Sequence, residues 1–187
     1  VDVDPETALI CINEVEEKLR NKPNIKAILA VHLYGNGINM PKLNKVARSY
    51  NCIVIEDCAQ SAGTKILGKY VGTFSDAGTF SFFPTKNLAA LGDGGGVWVS
   101  NKKLQTKIES LRQYGWNKNR VVKVANGMNS RLDELQAVVL QIRLKDLKRD
   151  IQKRRNIAKL YDLNLSSYFE RLTYPDFQFC SFHLYVV

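Results

Sequence analysis

The sequence predicts an α/β fold in which a mostly parallel sheet is flanked by helices. Three features predict it: two wholly apolar runs, an amphipathic segment between them, and a carboxylate at the end of the second run. Lys26 to Leu33 (KAILAVHL) is a continuous apolar stretch that stops at the turn-forming Tyr34 to Gly37 (YGNG). Cys52 to Glu56 (CIVIE) is the second, and Asp57 stands at its end. Strands apolar at successive positions are those buried on both faces, as parallel strands between helices are. Met40 to Tyr50 (MPKLNKVARSY) has its apolar residues at helical spacing, which completes a β-α-β order.

The remaining elements follow from the same patterns. Pro5 to Arg20 places Leu9, Ile12, Val15 and Leu19 on one face and is expected to be a helix, with Pro5 in its first turn. Gly63, Gly68 and Gly72 mark a turn-rich passage. Gly78 to Phe83 (GTFSFF) reads as a strand, Pro84 to Gly96 as a long loop, and Val97 to Ser100 as the strand leaving it. Asn101 to Tyr114 aligns Leu104, Ile108 and Leu111 on a helix. Arg131 to about Leu165 reads as one long amphipathic helix, open to a kink, carrying Leu132, Leu135, Val138, Val139, Ile142 and Leu147. Ser130 is its expected N-cap. Ser181 to Val187 reads as a strand cut short, and Val1 opens directly into Asp2-Val3-Asp4-Pro5, so the sequence is expected to be part of a longer chain.

Composition narrows the function classes. Hydrophobic residues at 45% and charged residues at 24% describe a globular protein and exclude a disordered one. The net charge of +9 invites a nucleic-acid reading. However, Lys145, Lys148, Arg149, Lys153, Arg154 and Arg155 alternate with Asp146 and Asp150 at helical spacing, as on a solvated helix face. With no aromatic ladder or zinc spacing beside them, no nucleic-acid partner is expected. A small acidic substrate suits a basic protein equally well. The four cysteines form no CxxC pair, which points to free thiols in a reducing cytoplasm and to no metal site. No apolar run approaches the ~20 residues of a membrane span.

Two residues stand out by position. Asp57 ends one apolar strand, and Lys86 follows another by a few residues. Ligands of open α/β sheets bind beyond the carboxyl ends of the strands, so both side chains are expected in one crevice. Pyridoxal-phosphate (PLP) chemistry uses such a pair. A lysine amine condenses with the cofactor aldehyde as a Schiff base, and a carboxylate beside the ring nitrogen favours its protonated form. The charged ring then draws electrons from the substrate carbon. Taken alone, an Asp and a Lys so placed also occur in α/β proteins that bind no cofactor. His32, inside an apolar strand, reads as a satisfied core histidine. Gly92 to Gly96 lacks the strand–helix context of a dinucleotide fingerprint and reads as a tight loop lining the crevice.

Five blocks occur in order: Glu56 to Gly63 (EDCAQSAG), Val71 to Asp76 (VGTFSD), Phe80 to Leu88 (FSFFPTKNL), Gly92 to Gly95 (GDGG) and Gly127 to Gln136 (GMNSRLDELQ). Together they resemble the DegT/DnrJ/EryC1/StrS sugar aminotransferases, from about His32 to Leu147 and again at His183 to Tyr185. The resemblance implies the PLP-dependent transferase fold of type I, with residues 1–165 as the central part of the large PLP-binding domain and 166–187 as the start of the small C-terminal domain. Lys86 is then the Schiff-base lysine and proton shuttle, and Asp57 the partner of the pyridinium nitrogen. Gln60 takes a place near the ring's phenolic oxygen, Ser81 that of a phosphate ligand, and Asn129 that of a residue reaching the cofactor of a neighbouring subunit in a homodimer. His183 is similar to a histidine near the substrate. Glutamate is the implied amino donor. A dTDP-linked 3-keto-6-deoxyhexose is the implied acceptor, for deoxyaminosugars of surface polysaccharides or antibiotics. Two alternatives stay open: a 4-keto sugar aminotransferase, and a non-catalytic or truncated homologue acting as a dimerisation scaffold.

Overall fold

Residues 1–187 are described by a computed structural model. Strands and helices follow along the chain in the order α1 (Ile12–Asn21), β1 (Ala27–Val31), α2 (Met40–Ser49), β2 (Ile53–Asp57), β3 (Lys65–Ile66), β4 (Lys69–Tyr70), β5 (Ala77–Ser81), β6 (Gly95–Val99), α3 (Lys102–Leu111) and α4 (Glu134–Asn164). The main sheet has the order β1-β2-β5-β6. Its first two pairings are parallel and the last, β5 with β6, is antiparallel. The β-α-β unit and the mostly parallel sheet are those that the sequence predicts.

Helical covering is confined to one face. Ile28, Ala30, Val54 and Glu56 point to the side covered by α1 and α2, where they pack with Val15, Leu19, Met40 and Leu43 in the main core. The opposite face carries Leu29, Val31, Ile53 and Val97. Leu29 is 59% exposed and Ile53 50% exposed, because no helix of this chain crosses there. The expectation of strands buried on both faces therefore holds for one face only.

Four local expectations are corrected. The first helix begins at Ile12 rather than Pro5. Asp4 Oδ1 accepts from the amides of Glu6 and Thr7, which turns the chain, and Val3 bridges Ile10 before the helix starts. Asp133 rather than Ser130 occupies the N-cap position of the long helix, with no side-chain cap hydrogen bond, and the helix runs unbroken for 31 residues. It buries Leu140, Ile151 and Ala158, whereas Leu135 is 80% exposed and Val138 and Ile142 also face solvent. Gly95 and Gly96 belong to β6 rather than to a crevice loop; a Cβ at Gly95 would lie 2.9 Å from the Phe80 carbonyl oxygen.

The fourth correction concerns Ser181 to Val187, which form no strand. This segment crosses the β1–α2 connection, where its amides at Ser181 and His183 donate to the carbonyls of Gly35 and Tyr34. The carbonyls of the segment accept from side chains instead of a neighbouring strand, Ser181 from Asn87, and Phe182 and His183 from Arg154, and the preceding Cys180 carbonyl accepts from Arg155. The glycine-rich passage contains the short hairpin β3–β4, whose turn residues Leu67 and Gly68 both have positive φ, at 49° and 79°. On α4, Arg149 pairs with Asp146 at 2.9 Å and with Asp150 at 3.5 Å, and Lys153 with Asp150 at 3.8 Å, so this part of the basic run is the solvated, self-paired face read from the sequence, whereas Arg154 and Arg155 are half-buried against the C-terminal segment.

The most connected buried group is Glu56. Its carboxylate accepts from the amides of Gly72 at 2.7 Å, Phe74 at 2.8 Å and Ser75 at 3.0 Å, and pairs with His32 Nε2 at 3.1 Å. His32 Nδ1 accepts from the Ile38 amide, which places the ring proton on Nε2, facing Glu56. His32 is thus the satisfied core histidine expected. Cys58 lies close enough to His32 and Glu56 to suggest a metal triad. Both imidazole nitrogens are already engaged, however, and burial together with Glu56 pushes the Cys58 thiol up to about 12. Burial alone would raise the pKa of Glu56, but the hydrogen bonds from His32 and from the Gly72 and Phe74 amides outweigh it and hold the carboxyl below its ordinary 4.5. A depressed carboxyl stabilises the fold above its unfolded value, and that contribution is lost as pH falls through the folded one. Glu56→Ala is expected to cost about 3 kcal/mol or more in urea unfolding, since it strands three amides, one buried and two half-buried. Below about pH 4.5 the unsubstituted protein is expected to lose stability more steeply than Glu56→Gln; parallel profiles would contradict this.

Candidate active site

Asp57 is the last residue of β2 and points to the uncovered face, opposite Glu56. Its Oδ1 closes a turn by accepting from the Ala59 amide at 2.9 Å, which leaves Oδ2 without a protein partner. Thr79 is the in-register neighbour of Asp57 on β5, and Ser81, two residues on, shares that face. The Ser81 hydroxyl oxygen accepts from the Phe83 amide at 3.3 Å, so its own proton remains free to be donated.

Lys86 follows in a loop fixed at its base and on one flank. Phe82 N donates to Gly94 O at 2.8 Å, Ala90 N to Phe82 O at 2.7 Å, and Lys86 N to Phe83 O at 2.9 Å. Leu88 and Ala90 pack on Leu140 of α4. From the same helix, Gln136 Oε1 accepts from the Leu91 amide at 2.7 Å, and Arg143 donates to the Ala89 carbonyl at 2.8 Å. The half-buried Lys86 amine takes part in none of the ion pairs of the chain.

Gln60 is oriented by Tyr34, whose amide donates to Gln60 Oε1 at 2.9 Å. This directs the Nε2 donors the other way. Tyr34 has a φ of 58°, a costly backbone for a bulky residue. Its carbonyl accepts from the His183 amide at 2.9 Å, which draws the C-terminal segment to the same place. Burial, then the positive charges of Lys86 and Arg154, lowers the pKa of His183, and its Nδ1 is buried with no partner. Asp57, Gln60, Ser81, Lys86 and His183 are thereby brought to one end of the sheet. Asn129 is not among them. It lies on an exposed stretch bridged to Gln113, and its Oδ1 accepts from Arg131 Nε at 2.9 Å.

The set suits PLP: a carboxylate with one oxygen free, an amine without a protein partner, a hydroxyl donor and an oriented amide, all beside a face that nothing else in this chain occupies. Tyr34, Asn87, Gln136 and Arg143 support the site but went unread in the sequence. Asn87 and Gln136 carried a signal, the one beside Lys86 and the other at the end of the GMNSRLDELQ block. A separate apolar cavity of about 580 Å³, lined by Phe80, Phe82, Trp98, Leu147 and Ile151, lies on the opposite side of β5 from Ser81.

A strand-end carboxylate and a partner-free lysine at the open end of an α/β sheet are the pair that PLP chemistry uses. The chain belongs to the DegT/DnrJ/EryC1/StrS aminotransferase family, which matches residues 1–187. It is 44% identical over 175 residues to the dTDP-3-amino-3,6-dideoxy-alpha-D-galactopyranose transaminase of Aneurinibacillus thermoaerophilus, covering 93% of this chain and 47% of that protein. It is 43% identical over 161 residues to the UDP-N-acetyl-3-dehydro-alpha-D-glucosamine 3-aminotransferase of Acidithiobacillus ferrooxidans, covering 86% and 43%. Among solved structures, Bacillus subtilis NtdA with bound cofactor PMP is similar with a TM-score of 0.84 and 31% identity, over 99% of this chain and 42% of that one. The chain thus spans less than half the length of these relatives. No helix is long and apolar enough to cross a membrane.

The proximity of His183 to Lys86 is testable in the protein without cofactor. Because the lysine charge disfavours imidazolium, Lys86→Ala is expected to raise the His183 pKa in an NMR titration. An unchanged titration would show that the two side chains do not sense one another.

Proposed function

We propose that the full-length protein is a PLP-dependent aminotransferase that moves an amino group from glutamate to a nucleotide-linked keto sugar. The observation that carries this reading is the placement of Asp57 and Lys86 at the same open end of the sheet, each with a reactive atom free of protein partners. When bound, PLP supplies an electron-withdrawing ring that stabilises negative charge at the substrate carbon. Asp57 Oδ2 is the oxygen that would hold a proton on the ring nitrogen. Lys86 is the amine that would hold the cofactor by its aldehyde and, when free, would move the proton of the reaction. Gln60 Nε2 would donate toward the phenolic oxygen, and the Ser81 hydroxyl would donate to the phosphate. His183 lines the substrate side.

Asn129 acts on the cofactor of a second copy in a homodimer. In support, the chain on either side of it leaves apolar side chains in the open: Val121, Val122 and Met128 before it, and Leu135, Val138 and Ile142 on α4 after it, are all exposed. Residues 1–165 form the central part of the cofactor-binding domain, and 166–187 lead into a smaller one. The acceptor is a dTDP-linked 3-keto-6-deoxyhexose, a choice supported by the name of the Aneurinibacillus relative. The Acidithiobacillus relative carries UDP but the same 3-position in its name, which supports amination at C3 with either nucleotide. Cytoplasmic, nucleotide-linked deoxyaminosugar synthesis is the corresponding role.

Lys86→Ala is expected to abolish both turnover and the visible absorbance of the bound cofactor. Asp57→Asn is expected to keep the cofactor and lose two or more powers of ten in kcat, since a charged hydrogen bond of about 3 kcal/mol is removed. Near-normal turnover in Asp57→Asn would remove the pyridinium role. Incubation of the full-length protein with glutamate and either the 3-keto or the 4-keto dTDP sugar, with the new C–N bond located by NMR, is expected to show amination at C3. Amination at C4 alone would move the regiochemistry and leave the aminotransferase standing.

A further inference from the structure

The Lys86 loop is anchored on one flank by α4, through Ala89 and Leu91. On the other flank a single side chain holds it. Asn87 Nδ2 donates to the Ser181 carbonyl at 2.9 Å, across 94 residues of sequence. The acceptor sits on a fixed segment. Ser181 N donates to Gly35 O at 3.1 Å, the Ser181 hydroxyl pairs with Thr64 at 2.8 Å, and the neighbouring carbonyls are held by Arg154 and Arg155. Ser181 itself is fully buried. A buried backbone with every group engaged does not yield locally, so Ser181 is a rigid reference point for whatever is tied to it.

Asn87 is tied to it by its side chain. Its Nδ2 is bonded, and its Oδ1 is buried with no hydrogen bond from this chain. The residue before it is Lys86. Two residues beyond its acceptor is His183, the ring whose pKa senses the Lys86 charge. One hydrogen bond therefore links the lysine turn to the segment that lines its other side.

We propose that Asn87 is a positioning residue for the reaction at Lys86: its bond to the Ser181 carbonyl sets the direction in which Lys86 leaves the turn at residues 83–86 and keeps its amine apposed to His183. This rests on the reading of Lys86 as the cofactor lysine. Without the bond, α4 still holds Ala89 and Leu91, so the loop stays in place while the Lys86 turn swings. Displacement of a reacting group by about 1 Å costs on the order of a hundredfold in rate.

The test uses the full-length protein carrying Asn87→Ala or Asn87→Asp, the latter matching the shape of Asn while lacking its donor. Both variants are expected to lower kcat roughly ten- to a hundredfold, with KM for the keto sugar changed less than about threefold. The pH midpoint of the visible cofactor band is expected to shift. In cofactor-free protein, amide exchange is expected to quicken over residues 83–88 and to stay unchanged at 89–91. Wild-type kcat and an unmoved pH midpoint in Asn87→Asp would overturn the proposal. So would unfolding of both variants, which would assign Asn87 to stability alone. Persistence of the visible band in Lys86→Ala would instead sink the reading of Lys86, and this proposal with it.

Discussion

Glu56 accepts three backbone amides from a single turn and faces a buried histidine, and the placement of the site depends on that arrangement. The turn at residues 72–75 is drawn onto the covered face of the sheet, where Gly72 presses against β5. A Cβ at Gly78 would lie 2.2 Å from the Gly72 carbonyl oxygen, so only glycine permits the contact. Asp76, just beyond, closes the same seam by accepting from the Val54 amide at 2.9 Å. With β5 locked against β2, strand alternation fixes the rest. Glu56 points in and Asp57 points out; Gly78 and Phe80 point in, and Thr79 and Ser81 point out. Adjacent carboxylates thus take opposite tasks, one satisfied by amides in the core and one left with a free oxygen at the open face.

The uncovered face and the reactive end of the sheet coincide. Leu29, Val31, Ile53 and Val97 form an apolar floor leading up to Asp57 and Ser81. Exposed apolar area of this kind is unfavourable in water at roughly 25 cal/mol per Å², and it makes a natural seat for further chain, a flat cofactor ring or both. Lys86 approaches from above on a loop held by α4 and by the segment around Ser181. The parts that place the lysine and the parts that place its carboxylate are therefore separate elements, joined through the Tyr34–Gln60 and Tyr34–His183 hydrogen bonds.

Much of this was legible in the sequence because it depends on local pattern. The apolar runs at Ala27–Val31 and Ile53–Asp57 and the intervening α2 stripe specify a β-α-β unit, and Asp57 at a strand end follows directly. What was not legible depends on contacts far apart in sequence. Pro5 to Arg20 has helical periodicity throughout, yet the Asp4 side chain captures the amides of Glu6 and Thr7 and delays the helix to Ile12. Ser181 to Val187 has strand composition, but Asn87 and Arg154 take the carbonyls a strand would have offered. The apolar positions of α4 read as one buried stripe, although Leu135, Val138 and Ile142 have nothing in this chain to pack against. The polar tail of a motif was likewise silent: Asn87 is legible as the neighbour of Lys86, whereas its bond to Ser181 is visible only in three dimensions.

The identity of the lysine that bonds the cofactor tests the arrangement most directly. Borohydride reduction of the full-length protein with its cofactor, followed by peptide mapping, fixes the link as a stable amine and reports which lysine made it. The expected result is a single labelled peptide carrying Lys86. Label on Lys65 or Lys69, whose amines lie over the rings of Tyr70 and Phe74, or on no lysine at all, would contradict it.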